Sequence, residues 1–177
     1  MKAYKLDKDH IQERCNWLNN PAIYQHMNMQ YPITLLETEK WFERAVTNNS
    51  RIDFAFKEDN EVVSMTGLTN IDTSNGLAEF YIMVNPTSQG KGYGLKTTQF
   101  TLNYAFVNYN IHKVYLYTNS FNERANNLYL KLGFKLEGTL RKHKFKNGEF
   151  IDRCVYGLLK EDWLEQEYAK NEINLEF

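Results

Sequence analysis

Residues 89–94 read QGKGYG, and this short segment determines how the rest of the chain is arranged. The apolar run LAEFYIMV at 77–84 precedes it and is typical of a largely buried strand. After the segment, apolar residues recur at helical spacing from Leu95 to about Tyr109, and KVYLYT at 113–118 predicts the next strand. A strand, a helix and a second strand joined over this length imply that the two strands are parallel neighbours.

A glycine-rich segment that leads into a helix can bind an anion. The first turn of a helix offers unpaired N–H groups and the positive end of the dipole, and glycines let the backbone approach a phosphate closely. Two common nucleotide motifs do not fit, because G-x-G-x-x-G would need glycine in place of Leu95 and no G-x-x-x-x-G-K-[ST] run is present. The pattern that remains is Q-x-x-G-x-G, formed by Gln89, Gly92 and Gly94. Alternatively, the glycines serve only the geometry of a tight turn.

The residues before this loop predict an antiparallel meander. Alternating apolar residues at 52–56 and a return strand at 62–69 lead, through turn signals, into the strand at 77–84. We therefore expect a mixed α/β (α+β) fold, whose central sheet has an antiparallel N-terminal meander and a parallel pair at the cleft and is flanked by helices. No repeat or long linker interrupts the sequence, so one domain over 1–177 is predicted.

Composition excludes several classes of function. The chain has 21 Lys and Arg against 22 Asp and Glu, a net charge of -1, which gives no overall attraction to nucleic acid or to an anionic membrane. Two cysteines are too few for a disulfide framework or a cysteine-based zinc site, and the histidine spacing does not indicate a metal. The sequence has no apolar segment of signal-peptide or membrane-span length, so a cytoplasmic protein without a metal or a nucleic-acid partner is predicted.

A second motif follows the glycine loop. Residues 119–134 read NSFNERANNLYLKLGF, which fits the pattern N-x-x-A-x-x-L-Y-x-K-L-G-F from Asn122 to Phe134. Together with Q-x-x-G-x-G, one helix and one strand earlier, this motif resembles the two signatures of the GCN5-related N-acetyltransferases. The resemblance spans nearly the whole chain and is strongest to the branch of ribosomal-protein, spermidine and other small-amine N-acetyltransferases.

The resemblance implies that acetyl-CoA binds where the strand before the loop separates from its neighbour. In such enzymes that strand pairs with the pantetheine arm through its backbone, the loop holds the pyrophosphate, and an asparagine contacts the arm. These cofactor positions correspond here to Met83, Val84, Gln89, Gly90, Gly92, Tyr93, Gly94 and Asn122. Tyr129 matches the tyrosine proposed as general acid to the leaving thiolate; the alternative is an aromatic residue that packs on one helix face.

Glu79 is the best candidate for a general base. It lies in an otherwise apolar strand, where a carboxylate is costly unless it is paired or faces a cleft; the alternative is a charge on an exposed sheet face. Strand alternation puts Glu79, Tyr81 and Met83 on one face, so Tyr81 could line the acceptor cleft. Met29 and Tyr31 could form a wall of the acceptor pocket, or pack between the first two helices and the sheet.

We therefore expect an N-acetyltransferase that moves an acetyl group directly from acetyl-CoA to a primary amine in a ternary complex. A small-molecule amine is slightly favoured as acceptor over a protein N-terminus or a nucleotide-linked amino sugar. A non-catalytic acyl-CoA sensor with the same fold is the alternative of another class. A homodimer is compatible with the resemblance, because dimers are frequent among related enzymes, although no interface signal stands in the sequence.

Overall fold

The computed structural model describes residues 1–27 and 29–166. The strands are β1 (Lys2–Lys5), β2 (Ile52–Glu58), β3 (Glu61–Asp72), β4 (Leu77–Val84), β5 (Lys113–Asn119), β6 (Lys135–Lys146) and β7 (Glu149–Leu159). The α-helices are α1 (Ile11–Leu18), α2 (Pro21–Tyr24), α3 (Leu35–Val46), α4 (Tyr93–Asn108), α5 (Glu123–Lys131) and α6 (Lys160–Leu164). The predicted domain 1–177 thus includes residues 28 and 167–177, which lie outside the described residues.

The mixed sheet predicted from the sequence is confirmed. Its order is β1-β2-β3-β4-β5-β7-β6, with antiparallel pairing throughout the described strands except for the parallel pair β4 and β5. The edge strand β1 was missed by the sequence analysis, because its four residues bury little besides Ala3 and show no readable alternation. Helices α1 and α3 cover one face of the sheet, and α4 and α5 cover the other.

The parallel pair separates soon after it begins. Pairing of β4 with β5 covers only three residues of β4, and Glu79 opposite Tyr115 is the last pair. On its other side β4 stays paired with β3 as far as Val84, and β5 stays paired with β7 as far as Asn119. The backbone edge of β4 beyond Glu79 therefore faces an opening in the sheet without a strand partner among the described residues.

Buried hydroxyl pairs fix helix α4 on the sheet. Ser64 Oγ lies 3.1 Å from Thr97 Oγ1, and Thr66 Oγ1 lies 2.6 Å from Thr101 Oγ1. Ser64 also donates to the carbonyl of Met83 at 3.0 Å. Because buried polar groups strongly prefer to be hydrogen-bonded, these pairs set the position of the start of α4 relative to the end of β4.

A buried ion pair organises the opposite face. Arg51 donates from Nε and Nη2 to Asp53 at 2.8 and 2.7 Å, and the Tyr81 hydroxyl also donates to Asp53. Gly67 on the adjacent strand has to be glycine, because a Cβ there would lie 2.7 Å from Asp53 Oδ1 and 2.9 Å from the Ile52 carbonyl oxygen. The sheet therefore carries a tightly enclosed polar group under α1 and α3.

Candidate active site

The opening between β4 and β5 contains a cavity of about 410 Å³. Its walls are the end of β4, the loop at 89–94, the start of α4, the inner face of α5, and α2 with the residues after it. Nine of the residues predicted for the site line it: Met83, Val84, Gln89, Gly90, Gly92, Tyr93, Gly94, Asn122 and Tyr129. The structure therefore brings all the predicted cofactor positions and the predicted general acid to one cavity.

The glycine loop has the geometry of an anion site. Gly90 and Gly92 have φ angles of 85° and 82°, in the left-handed region that favours glycine, and Gly92 caps the 16-residue helix α4. A Cβ built on either residue would meet no atom within 4 Å, so the requirement comes from the backbone conformation. The free N–H groups of the first turn of α4 consequently face the cavity with the positive end of the helix dipole.

Replacing Gly92 with alanine is expected to lower the affinity for CoA. Forcing an L-residue into the left-handed region costs about 1–2 kcal/mol, so relaxation of the loop should weaken binding by roughly 5- to 30-fold. Gly148→Ala is the matched control, since Gly148 has nearly the same φ (85°) and equally open surroundings but lies in the β6–β7 turn. Calorimetry with CoA would contradict the assignment if both variants lost affinity equally, or neither did.

Arg124 is a cavity residue that the sequence analysis missed. It lies in the first turn of α5, and its Nη1 donates to Gln89 Oε1 at 2.6 Å. The bond connects α5 to the glycine loop and places a positive charge beside the free N–H groups of α4. A basic residue two positions after Asn122 was the available signal, but its partner is 35 residues away and could not be read from the sequence.

Asn122 has a structural role in addition to its place in the cavity wall. Its side-chain oxygen accepts a hydrogen bond from the Ala125 N–H at 3.3 Å and caps the start of α5. The side-chain amide nitrogen takes no part in this cap, so it can face a ligand while the oxygen holds the helix. The motif asparagine thereby fixes the direction in which α5 enters the cavity.

Tyr129 lies on the inner face of α5, only 6% exposed. Its ring packs edge-on against Phe80 and Phe134 and lies 6.1 Å from the ring of Tyr156. No described residue forms a hydrogen bond with its hydroxyl, and burial raises the pKa of Tyr129 above its ordinary value. The hydroxyl is therefore protonated at neutral pH and available as a proton donor in the cavity.

Glu79 occupies the point where β4 and β5 separate. Its side chain is half-buried, and Oε2 accepts a hydrogen bond from Asn70 Nδ2 at 2.7 Å. It points to the face of the sheet covered by α1 and α3 and does not belong to the cavity lining. Glu79 therefore lies where the opening begins. Its role as a general base stays a prediction.

The three predicted acceptor residues lie outside the cavity lining. The Tyr81 hydroxyl is engaged by Asp53, and burial raises the pKa of Tyr81. Met29 and Tyr31 are 37% and 42% exposed, and the Tyr31 ring stacks on Tyr24 at 3.7 Å. Nothing further tests a role of these three side chains with an acceptor, and it stays a prediction.

Helix α2 and the residues after it form one wall of the cavity. The cavity lining includes Ala22, Ile23, Gln25, His26 and Met27. The sequence analysis did not predict this helix, because a four-residue helix is too short for a periodic pattern. The available signal was Asn20 before Pro21, an N-cap followed by the residue favoured at the first helical position.

No described helix is both long and apolar enough to cross a membrane. Residues 1–27 and 29–166 also contain no group of three or more His, Cys, Asp or Glu side chains placed to hold a metal ion. The sequence-based expectations of no metal, no membrane and no nucleic-acid partner stay predictions.

The sheet opens between its parallel strands beside a glycine-rich helix start, which is a favourable place for an anion. Comparison with known proteins specifies the class further. The sequence matches the acetyltransferase (GNAT) domain over residues 4–135, so the chain belongs to the GNAT family of acetyltransferases, as the two sequence motifs predicted.

Individual relatives support the same assignment. Spermidine N(1)-acetyltransferase of Escherichia coli (strain K12) is 28% identical over 159 residues, covering 88% of this chain and 86% of that protein. The Vibrio cholerae protein of the same name is 31% identical over 117 residues, covering 66% and 68%. The crystal structure of spermidine N-acetyltransferase from Vibrio cholerae in complex with CoA and spermine has a TM-score of 0.88 at 26% identity, covering 93% of this chain and 98% of that one. This chain is accordingly an N-acetyltransferase.

Proposed function

We propose that the protein transfers the acetyl group of acetyl-CoA to a primary amine of a small molecule, directly and within a ternary complex. The observation that carries the proposal is the single cavity that joins the glycine loop, the unpaired edge of β4 and Tyr129. The Vibrio cholerae relative, whose structure contains CoA and spermine, supports both the cofactor and the kind of acceptor. A homodimer and a cytoplasmic location stay predictions.

The residues of the cavity fit acetyl-CoA along its length. The loop N–H groups and the start of α4 suit the diphosphate, and Arg124 adds a positive charge beside them. The free backbone edge at Met83 and Val84 can donate and accept hydrogen bonds as a neighbouring strand would, which suits the amides of the pantetheine arm. The thioester then lies toward Tyr129 and α2.

Acetyl transfer needs few groups from the protein. The lone pair of the neutral amine attacks the thioester carbonyl carbon, and the tetrahedral intermediate collapses as the C–S bond breaks. The amine loses one proton, for which Glu79 is the proposed acceptor, directly or through water. The thiolate gains one proton, for which the Tyr129 hydroxyl is the proposed donor. Binding both reactants in one cavity supplies much of the rate enhancement by proximity.

The proposal is tested by measuring free thiol from acetyl-CoA with a panel of amines, together with calorimetry of CoA binding. Turnover that requires both acetyl-CoA and one class of primary amine is the expected result. Tight CoA binding without turnover of any amine would instead favour the non-catalytic sensor. Absence of CoA binding would contradict the cofactor assignment and with it the whole proposal.

Replacing Glu79 with glutamine is expected to lower kcat/KM by about 10²-fold near pH 7, because a primary amine is mostly protonated there and needs a base. The deficit should shrink toward pH 10, where the free amine predominates. The measurement is the pH dependence of kcat/KM, with Glu61→Gln on the exposed start of β3 as control. A deficit that is constant with pH would remove Glu79 as the base.

A further inference from the structure

Three of the buried polar atoms that lack a hydrogen-bond partner among the described residues are Asn119 Oδ1, Arg153 Nε and His26 Nδ1. Asn119 and Arg153 are opposite one another in the antiparallel β5–β7 pair, so their side chains share a face of the sheet. Asn119 Nδ2 donates to the His26 carbonyl at 3.2 Å, and His26 lines the cavity. Because buried polar atoms are nearly always paired, unpaired atoms on residues linked in this way are available to hydrogen-bond a polar ligand.

The charge at this place is positive. Arg153 is half-buried with its guanidinium 4.7 Å above the ring of Tyr117, and no described carboxylate lies within salt-bridge distance of it. Lys146 donates to the carbonyls of Tyr24 and Met27 at 2.6 and 2.8 Å, which brings a second cation to the segment around His26. Arg153 is partly buried and forms no ion pair with a described residue, so an anion bound directly beside it would offset part of the cost of its burial.

The charges around His26 agree with a positive local charge. Burial lowers the pKa of His26, and the charges of Lys146 on β6 and Arg124 on α5 lower it further. Burial also lowers the pKa of Arg153, and the carboxylate of Glu79 on the same face opposes that shift. His26 is therefore neutral at pH 7, and the positive charge of the place comes from the arginines and the lysine.

We propose that Asn119, Arg153 and His26 form an acceptor subsite for a carboxylate, so that the amine acceptor is an amino acid rather than a polyamine. Arg153 Nε donates to a carboxylate oxygen of the acceptor, and Asn119 Oδ1 accepts an N–H of the same molecule. The subsite repels a molecule that carries only ammonium groups. This inference rests on the proposed acetyl transfer and narrows its acceptor class.

The test compares acceptors that differ by one carboxylate. The full-length protein is assayed for thiol release from acetyl-CoA with lysine against 1,5-diaminopentane, ornithine against 1,4-diaminobutane, and spermidine. We expect kcat/KM to be about tenfold or more higher for each amino acid than for its diamine, because a site built for a charged hydrogen bond rejects an analogue that lacks the group. Equal use of the pairs, or preference for spermidine, would overturn the subsite.

Arg153→Met then assigns the preference to a residue. The ratio of kcat/KM for lysine to that for 1,5-diaminopentane should fall about tenfold. Arg141→Gln, a change of an exposed arginine on β6, should leave the ratio as it is. Thermal melts of both variants verify that they are folded, and an unchanged ratio in folded Arg153→Met would contradict the inference.

A binding measurement separates failure of this inference from failure of the proposed function. Calorimetry of lysine with the CoA-bound protein should give a heat of binding that is weakened about tenfold in Arg153→Met. If lysine binds in this way but releases no thiol, the acetyl transfer fails and the subsite stands. If lysine does not bind the CoA complex, or binds both proteins equally, the subsite is refuted whichever amine is acetylated.

Discussion

Replacing Tyr129 with phenylalanine is expected to lower kcat by about 10²- to 10⁴-fold, the usual contribution of a positioned general acid. The hydroxyl faces the cavity from a buried position, and no described residue shares it in a hydrogen bond. Burial raises the pKa of Tyr129, so the wild-type group carries its proton at the pH of the assay. The ring stays in place in the variant, so the dissociation constant for CoA should change little. Steady-state thiol release and calorimetry measure the two quantities.

Tyr156→Phe is the matched control for this substitution. Tyr156 is also buried, and its ring lies 6.1 Å from that of Tyr129, but it does not line the cavity. Removal of the Tyr156 hydroxyl should therefore leave kcat nearly unchanged. If Tyr129→Phe instead weakened CoA binding and lowered the melting temperature with kcat intact, Tyr129 would be the packing aromatic that its place on a helix face also allows.

Features set by residues close together in the sequence could be predicted. The capping box that begins α3 is such a local feature: Thr34 and Glu37 are three residues apart, and the Glu37 N–H donates to Thr34 Oγ1 at 3.2 Å. The glycine loop was also predictable, because the left-handed backbone at Gly90 and Gly92 favours glycine, and the glycines are visible in the sequence. The separation of β4 from β5 was predicted only through the family resemblance. The three paired and the five unpaired residues of β4 show the same hydrophobicity pattern, so the sequence alone does not mark where pairing ends.

Contacts between distant residues could not be predicted. Arg124 meets Gln89, Asn119 meets His26 across 93 positions, and Lys146 reaches Tyr24 across 122. The first contact depends on how α5 is placed against the glycine loop, and the other two on how β5 and the β6–β7 hairpin are placed around α2, which no local pattern specifies. For the same reason the sequence could not show that Tyr81 is engaged by Asp53, whereas alternation correctly put Tyr81 on the face of Glu79 and Met83.

The buried ion pair beneath α1 and α3 yields the largest expected change in stability. Asp53→Ala should lower the free energy of unfolding by about 3–5 kcal/mol, the usual result of removing one partner of a buried pair. The substitution leaves the Arg51 guanidinium without its two short hydrogen bonds and the Tyr81 hydroxyl without its acceptor. It also concentrates positive charge, because Arg14 lies 3.8 Å above the nearby Trp41 ring with Nε and Nη1 unpaired. Denaturant unfolding followed by tryptophan fluorescence measures the change.

Asp162→Ala provides the contrast, because the pair of Asp162 with Lys135 is exposed on the lysine side and is screened by water. That variant should unfold at nearly the same denaturant concentration as the wild type.

Tyr81→Phe tests whether Tyr81 supports the sheet or contacts the acceptor, since it removes one donor to Asp53 and leaves the ion pair intact. A modest loss of stability with an unchanged KM for the amine would make Tyr81 a support of the sheet. A raised KM with unchanged stability would instead support a role of Tyr81 in the acceptor site. For the ion pair itself, an Asp53→Ala protein as stable as the wild type would show that the pair does not stabilise the fold.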